Sequence, residues 1–402
     1  MRDAYDAAAG GDRPHPLDHR PDGDHAGGFR PALSRYLGSA LRLGDPRGHG
    51  LVPPPGLAVG DSGALSGGGQ RPSGSGRADG GDLRPARGIG RDGGPDFALD
   101  VPKDGYAWWY VDALSDDGRH GLVIIVFIGS VFSPYYAWRR RAGPADPLAH
   151  CAVNVALYGP GGRWAMTERG AGPRARASDH LAIGPSQVSW DRGRLTIAID
   201  EMAVPIPRRV RGTVTVTPTS APSRAFHLDA EGHHRWRPIA PAARVEARFS
   251  DPDLSWSGHG YCDTNDGDRP LERDFLTWNW SREVRAAGGR IHYDARRADG
   301  GRTTLALGLQ QDGRLAPVEA PDPAPLPRTG WRVARETPAV GGHRPRVIMG
   351  MEDAPFYARA VVGTDWGDRP ATFVHEALSM PRFSNPVVQA MLPFRMPRRA
   401  RT

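Results

Sequence analysis

The sequence predicts a mainly β protein, built as two consecutive antiparallel β-barrels that follow a disordered N-terminal segment. Three observations support this prediction. Segments in which apolar and polar residues alternate recur at short spacing along the chain. The 52 glycines and 39 prolines disfavour long helices and favour turns between strands. The length of 402 residues exceeds that of one ordinary core, so two domains are expected.

Residues 1–95 form the predicted disordered segment. They are rich in Gly, Pro, Arg, Asp and Ser and show no sustained hydrophobic period. Such a segment cannot bury enough apolar surface to offset the entropy lost on ordering. A start codon assigned too far upstream in GC-rich DNA would give the same composition. We assign this segment no function.

The first predicted barrel covers residues 96–240. It opens with the strand GYAWWYVDALS, an Asp-Asp-Gly turn at Ser115–Gly118 and a second strand rich in Val and Ile, which together indicate a β-hairpin. HCAVNVALY and RWAMTER follow, separated by a Gly-Pro-Gly-Gly turn. LTIAIDEMAVPI and GTVTVTPTS also alternate and are predicted strands.

The second predicted barrel covers residues 241–402, with the boundary placed near Ala240. RIHYDARR, TTLALGL and RLAPVE form a predicted meander joined by Gly-containing turns. VIMGMEDAPFYARAVVG and ATFVHEALSM supply further strands near the end of the chain. Only Asn385–Leu392 has a helical pattern.

Basic residues give the chain a net charge of +7. They cluster at Arg139–Arg141, at Arg208–Arg209 and in the tail after Pro397. A nucleic-acid surface requires such clusters to be interleaved with aromatic residues that stack on bases. Here the clusters flank turns and the terminus, so solvated loops are expected and a nucleic-acid partner is not. Weak attraction to anionic lipid headgroups is the second interpretation.

Several absences bear on the cellular compartment. The N-terminus has no apolar signal region. The longest apolar run, Val123–Phe132, falls short of the roughly 20 residues that span a bilayer. Cys151 and Cys262 form neither a CxxC site nor a disulfide framework, which favours a reducing cytoplasm. We therefore expect a cytoplasmic protein that is soluble or peripheral to a membrane.

The candidate functional residues lie in the stretch Gly258–Arg282 and in the segment HHRWRPIAP before it. Side chains alternate along a strand, so Tyr261 and Asp263 share one face while Cys262 points away. His234 and Trp236 share a face by the same argument. An acid, a phenol, an imidazole and an indole in neighbouring segments suit acid chemistry on an apolar, electron-rich substrate.

Metal and cofactor sites are disfavoured by the spacing of their candidate ligands. DTNDGD resembles the opening of an EF-hand loop, but counting from Asp263 puts Gly267 at position five, one short of the position that the loop requires. His233, His234, His259 and Asp263 lack the helical spacing of zinc ligands. No GxGxxG opens a helix after a strand, and GxxxxGK[ST] and GxSxG are missing from the sequence. We expect neither a metal nor a cofactor.

Aromatic residues near these segments have two interpretations. Trp108 and Tyr110 share one face of their strand, as Trp278 and Trp280 do, and either pair could line a cavity or fill a core. Asp263 could be a solvated turn residue. Its aromatic neighbours instead favour a buried carboxyl, whose pKa rises until the group is neutral at pH 7 and can donate a proton.

Longer blocks of the sequence resemble the carotenoid 1,2-hydratases of purple phototrophic bacteria. The resemblance runs from about residue 95 to the C-terminus, and no resemblance is expected before it. Its blocks, in order, are GYAWWYVDALSDDGRHGL, VFSPYYAWRR, HCAVNVALYG, RWAMTERG, EMAVPIPRRVRG, HRWRPIAP, SGHGYCDTNDGDRPLE and VVQAMLPFRMPRR.

The resemblance implies a two-domain lipocalin-like fold and cofactor-independent addition of water to the terminal 1,2 double bond of acyclic carotenoids such as neurosporene and lycopene. It implies catalytic roles for His234, Trp236, Tyr261 and Asp263, and a location peripheral to the intracytoplasmic membrane. Asp263 is the expected proton donor, Trp236 and Tyr261 the stabilisers of the resulting cation, and His234 the residue that handles water.

Two other functions remain open at this point. A non-catalytic lipocalin-type carrier of a carotenoid or another lipid would need the cavity but not the acid. A related barrel enzyme could instead guide cyclisation of a polyene or polyketide. Hydration adds the mass of water to the substrate, whereas binding and cyclisation do not.

Overall fold

The computed structural model describes residues 89–285 and 289–400. The strands are β1 Tyr106–Ser115, β2 Gly121–Ile128, β3 Cys151–Tyr158, β4 Arg163–Arg169, β5 Ala175–Ala177, β6 His180–Ile183, β7 Ser186–Asp191, β8 Arg194–Met202, β9 Arg209–Pro218, β10 Phe226–His227, β11 His234–Asp251, β12 Asp253–Gly267, β13 Phe275–Glu283, β14 Arg290–Arg297, β15 Arg302–Leu309, β16 Leu315–Pro317, β17 Pro323–Pro325, β18 Glu336–Pro338, β19 Arg346–Asp353, β20 Tyr357–Asp365, β21 Pro370–Ser379 and β22 Arg398–Arg399. The helices are α1 Pro134–Arg141, α2 Leu271–Asp274, α3 Met380–Phe383 and α4 Pro386–Met391. Within these described ranges, none of the helices has the length and apolar character that crossing a bilayer requires.

Most strands belong to two sheets. The first sheet has the order β22-β4-β3-β2-β1-β12-β11-β9-β8-β7-β6-β5, with β10 also paired to β11. The second has the order β16-β15-β14-β13-β21-β20-β19, and β17 pairs separately with β18. The pairing is antiparallel except between β22 and β4. The prediction of a mainly β, antiparallel protein is confirmed.

The side chains on the two faces of β1 pack in two different hydrophobic cores. Trp109 and Val111 pack in one cluster with Ile197 and other residues from distant strands of the same sheet, so the first sheet curls around this core. Trp108 and Tyr110 lie in a second cluster that also contains residues of the second sheet. The predicted separation of Trp108 and Tyr110 from Trp109 is confirmed. The second sheet therefore packs against the outer face of the curled first sheet.

A buried ion pair joins the two sheets. Asp112 of β1 accepts hydrogen bonds from Nε of Arg282 in β13, at 2.6 Å to Oδ1 and 2.8 Å to Oδ2. Both side chains are almost inaccessible to solvent. Removing one partner would leave an uncompensated buried charge, at a cost of about 3–5 kcal/mol. The pair therefore helps to fix how β13 lies over β1.

The chain passes from the first sheet to the second after β12. The predicted boundary near Ala240 falls inside β11, which pairs with β12 and keeps the chain in the first sheet as far as Gly267. The second sheet begins at Phe275. Alternation within a strand carries no information about which strand it will pair with, so this change of sheet could not be placed from the sequence. The division into two domains stays a prediction.

Helix α1 corrects the prediction that only residues 385–392 are helical. Ser133 caps α1 by accepting a hydrogen bond from the Tyr136 backbone N–H, and Pro134 occupies the first turn. A serine followed by proline is a helix-start signal. The aromatic residues that follow it favour a strand on propensity alone and obscured that signal. The predicted C-terminal helix is confirmed as α4.

Most of the segment predicted to be disordered, residues 1–88, lies outside the described residues. The remaining part of it is ordered against the first sheet, which the sequence did not predict. Ile89 forms a β-bridge with Pro95. Arg237 donates hydrogen bonds from Nη2 to the carbonyl oxygens of Gly93 and Gly94, at 2.7 and 2.8 Å. This buried guanidinium anchors the backbone of a segment that has little apolar surface of its own.

Candidate active site

A cavity with an empty volume of about 300 Å³ lies between the two sheets. The first sheet contributes residues of β1 and β12, and the second contributes residues of β13, β14 and β21. The lining residues are Trp108, Tyr110, Asp263, Asn265, Trp278, Trp280, Tyr293 and Glu376. All four residues predicted to bind substrate are therefore in its wall, together with the predicted acid. We refer to it as the acid cavity.

Two hydrogen bonds hold the carboxyl group of Asp263 from behind the cavity wall. Nε1 of Trp236 donates to Oδ2 of Asp263 at 2.8 Å, and the hydroxyl of Tyr261 donates to the same oxygen at 2.8 Å. Tyr261 lies two residues before Asp263 on one face of β12, and Trp236 comes from the adjacent β11. The predicted shared face of Tyr261 and Asp263 is confirmed.

The other carboxyl oxygen of Asp263, Oδ1, is buried and has no hydrogen-bond partner within the described residues, and the Asp263 side chain is part of the cavity wall. Burial raises the pKa of Asp263 to about 8, against the lowering effect of the hydrogen bonds from Trp236 and Tyr261. The charges of Glu376 and Asp112 contribute to this raised value. The carboxyl is therefore protonated at neutral pH. Because both donors occupy Oδ2, Oδ1 is the oxygen that is left to carry the proton.

Glu376 of β21 is the second carboxyl in the acid cavity. Its Oε1 accepts a hydrogen bond from the hydroxyl of Tyr110 at 2.7 Å and one from Nε of Arg359 at 2.7 Å. Arg359 is fully buried and also donates to the hydroxyl of Tyr158 at 2.8 Å. A buried guanidinium needs a counter-ion, and Glu376 serves as that counter-ion. The cavity thus holds one neutral acid and one ion-paired carboxylate.

Aromatic rings form the rest of the wall. Trp280 lies 5.2 Å from Tyr261 and 5.7 Å from Tyr110 between ring centroids. Trp278 lies 6.0 Å from Tyr293 and 6.4 Å from Trp108. Ring faces stabilise a nearby cation, by about 2 kcal/mol when water is excluded. The wall is therefore suited to a carbocation.

His234 does not reach the acid cavity. Its Nδ1 is 2.9 Å from the hydroxyl of Tyr106, and its Nε2 is 2.7 Å from Oδ2 of Asp274. Burial lowers the pKa of His234, although the hydrogen bond to Asp274 opposes this. With both ring nitrogens engaged, His234 is not available to the water that it was predicted to handle. Tyr106 stacks on Trp108 at 5.0 Å, so His234 supports the cavity wall from outside.

Trp236 also differs from its predicted role. It was expected to present its ring face to a cation, but it is not among the cavity-lining residues. Its ring is buried against Phe226 and Tyr293, and its N–H points at Asp263. Trp236 thus orients the acid, as Tyr261 does. Burial raises the pKa of Tyr261 well above its ordinary value, so the phenol keeps the proton that it donates.

The structure also gives the positions of the DTNDGD segment and of the two cysteines. The segment DTNDGD, compared above with a calcium loop, ends β12 and is mostly buried. Among the described residues, no group of three or more His, Cys, Asp or Glu side chains could hold a metal ion. Cys262 points into the core inside the curled sheet, away from the acid cavity, as predicted. Cys151 and Cys262 are both buried and unpaired.

Sequence reasoning missed Glu376 and Tyr293. Glu376 lies between Val374 and Leu378 on the apolar face of β21, and all three face the second core. Tyr293 alternates in the same way with Ile291 in β14. The sequence signal for Glu376 was a carboxylate on the apolar face of a strand. Such a group is rarely buried without a partner, so its position indicates a buried polar site.

A second, larger cavity lies in the same layer between the sheets and has an empty volume of about 550 Å³. Its wall is mainly apolar and aromatic, with residues from β2, β3, β4 and β20 and from the chain after α4. It adjoins the acid cavity across paired positions of β1 and β2, where Phe127 of the larger cavity lies 6.2 Å from Trp108. Arg359 lines the larger cavity and binds Glu376 of the smaller one. We call it the apolar cavity.

Two antiparallel sheets that enclose a neutral carboxyl in an aromatic cavity define a protein suited to proton transfer to an apolar substrate. The comparison with known proteins is more specific. Residues 124–402 match the family described as carotenoid hydratase CrtC. The chain belongs to this family.

Two relatives are similar over nearly the whole chain. The acyclic carotenoid 1,2-hydratase of Thiocapsa roseopersicina is 49% identical over 388 residues, which cover 96% of each protein. That of Rubrivivax gelatinosus is 49% identical over 393 residues, covering 97% of this chain and 96% of the relative. Both alignments extend well into residues 1–95, which corrects the expectation that no resemblance precedes residue 95.

Solved structures are more distant. Kievitone hydratase from Nectria haematococca has a TM-score of 0.44 and 9% identity, over 71% of this chain and 92% of that chain. CghA with Sch210972 has a TM-score of 0.44 and 11% identity, over 69% of this chain and 89% of that chain.

Proposed function

We propose that the protein is an acyclic carotenoid 1,2-hydratase that adds water to the terminal C1=C2 double bond by acid catalysis. The observation that carries this proposal is the Asp263 carboxyl, which lines an aromatic cavity, is held by two hydrogen bonds on one oxygen and has its pKa raised to about 8. Family membership and the names of the two relatives supply the substrate class. The reaction makes the protein a hydro-lyase.

The first step is proton transfer from Oδ1 of Asp263 to C2 of the double bond. Protonation at C2 leaves the positive charge on the tertiary carbon C1. The rings of Trp278, Trp280 and Trp108 stabilise this cation through their faces. The developing carboxylate of Asp263 is stabilised in turn by the two hydrogen bonds on Oδ2, which strengthen as the oxygen becomes negative.

The second step is attack of water on C1, and we assign Glu376 as the base. Its carboxylate lines the same cavity as Asp263, so it can accept a proton from the water that forms the new C–O bond. The Asn265 side chain is a further polar group in the wall that can hold this water. A second water carries the proton from Glu376 to Asp263. The net reaction consumes one water, and no other reactant or cofactor is needed to balance it.

The substrate also bears on where the protein works. An acyclic carotenoid is a long hydrocarbon that partitions into membranes. We therefore place the protein at the surface of the intracytoplasmic membrane on its cytoplasmic side, as a peripheral protein with the carotenoid and water as its partners.

Incubation of the full chain with lycopene in D₂O tests the proposal. We expect a 1-hydroxy product that carries one non-exchangeable deuterium at C2, because the solvent-derived proton of Asp263 is transferred to that carbon. Mass spectrometry after back-exchange in H₂O measures this label. A carrier would return lycopene with unchanged mass, and a cyclase would return an isomer without the elements of water. Either result would refute the proposal.

The pH dependence of hydration is expected to follow the protonation of Asp263. The rate should be constant from about pH 5 to 7 and fall about tenfold per pH unit above pH 8, as the carboxyl loses its proton. Tyr261→Phe removes a hydrogen bond that lowers this pKa, so the falling limb should move to higher pH. Initial rates across a pH series measure the shift. Tyr135→Phe, which alters a phenol outside the acid cavity, is the control and should leave the limb in place.

A further inference from the structure

An exposed apolar stripe runs along the C-terminal segment Pro386–Phe394. This segment contains no charged residue and comprises α4 and the short turn Leu392–Phe394. Its solvent-facing residues are Val387, Ala390, Met391 and Phe394, which are spaced as one face of a helix. Phe394 is 81% exposed and Val387 is 69% exposed. Large apolar residues grouped on one surface indicate a binding partner.

The opposite side of this segment covers the apolar cavity. Leu392 and Met396 line that cavity, and Arg395 lies at its edge with its guanidinium 4.4 Å from the ring of Trp164. One short piece of chain thus has apolar residues on both sides, towards the cavity and towards solvent. We call the segment Pro386–Met396 the C-terminal cap.

Arginines lie near the stripe, in α1 and in the chain that follows the stripe. Nε1 of Trp138 in α1 donates a hydrogen bond to Oε1 of Gln389, which brings the basic end of α1 to the C-terminal cap. Trp138 is itself 39% exposed. In α1 and in the chain after the stripe, the arginines Arg139, Arg141, Arg395 and Arg399 are exposed or partly exposed. Arg140 and Arg398 are instead paired with Glu272 and with the buried Glu168. Exposed apolar side chains next to positive charge and an exposed tryptophan are the features of a surface that binds anionic lipid.

We propose that the C-terminal cap is a membrane-docking surface that inserts Val387, Met391 and Phe394 among the acyl chains of an anionic bilayer. The arginines bind the headgroup phosphates, and the insertion places the apolar cavity at the level of the acyl chains. On the proposed function, a polyene enters through the apolar cavity, and its end reaches Asp263 in the acid cavity. This path needs no exposure of the hydrocarbon to water.

The test uses the full chain and the triple variant Val387→Ser, Met391→Ser and Phe394→Ser. Vesicles of equal parts phosphatidylglycerol and phosphatidylcholine are compared with phosphatidylcholine alone by co-sedimentation. The native protein should bind the anionic vesicles at least about tenfold more tightly than the neutral ones, and salt should weaken this binding. The triple variant should bind anionic vesicles at least about tenfold less well than the native protein. The control is Ile206→Ser, which alters an exposed apolar residue in another part of the surface and should bind normally.

Activity separates this inference from the proposed function. With lycopene in the anionic vesicles, the triple variant should lose at least about tenfold in rate, whereas with lycopene in detergent micelles it should match the native protein. Undiminished vesicle binding by the triple variant would overturn the docking surface. So would a native dimer that the same substitutions dissociate, with no vesicle binding by either form, since the stripe would then be a contact between copies. Failure of the native protein to hydrate lycopene in either medium would refute the proposed function and leave the vesicle-binding result to be judged separately.

Discussion

Asp263→Asn is expected to lower the rate of lycopene hydration by about a thousandfold, because the variant has no acidic proton to transfer to C2. The asparagine oxygen can still accept the hydrogen bonds from Trp236 and Tyr261, so the cavity should keep its shape. An alanine at this position would instead leave two buried donors unpaired, at about 1–3 kcal/mol each. Asparagine therefore isolates the chemical effect from a structural one.

Two measurements accompany the Asp263→Asn substitution. Quenching of tryptophan fluorescence should show unchanged lycopene binding, since the substitution alters none of the aromatic rings in the cavity wall. Asp253→Asn, at an exposed position of the same strand, is the matched control and should retain full activity. Wild-type rates in the Asp263→Asn protein would eliminate Asp263 as the acid.

Glu376→Gln is expected to reduce the rate by about a hundredfold, because the attacking water loses the base that accepts its proton. The substitution has a second effect that a purely structural residue would not produce. The charge of Glu376 raises the pKa of Asp263, so its removal should lower that pKa and move the falling limb of the pH profile to lower pH. Initial rates over the same pH series measure both effects.

The control for Glu376→Gln is Glu246→Gln, which neutralises an exposed carboxylate in β11. Glu246→Gln should alter neither the hydration rate nor the pH at which that rate begins to fall. A rate loss in Glu376→Gln without movement of the limb would indicate that the residue only supports Arg359, and it would contradict the role of base. The direction of movement also matters, because Tyr261→Phe shifts the limb the opposite way.

The strands and the faces of their side chains could be predicted because both depend on nearby residues. Trp108 and Tyr110 point to one side of β1 and Trp109 to the other simply because side chains alternate along a strand. The same rule placed Tyr261 beside Asp263 and turned Cys262 away. Four aromatic residues selected from two separate strands consequently line one cavity.

The partners of these faces could not be predicted, because they depend on which strands pair and which sheets pack. Glu376 follows Asp263 by more than a hundred residues and meets it only because β21 lies beside β13 in the second sheet. His234 has the expected face, but it lies at the end of β11 next to Asp274, beyond the reach of the cavity. The spacing of residues along the chain predicts neither the proximity of Glu376 to Asp263 nor that of His234 to Asp274.

The packing surface between the two sheets, called the seam below, bears on how the specificity of related proteins can change. The acid comes from one sheet and the ion-paired carboxylate from the other, so their separation is set by the fit of two surfaces rather than by a loop. Contacts that join the two sheets, such as that between Asp112 and Arg282, are therefore expected to affect the distance between the two carboxyls. Homologues that prefer different polyenes are expected to differ along this seam while keeping both carboxyls.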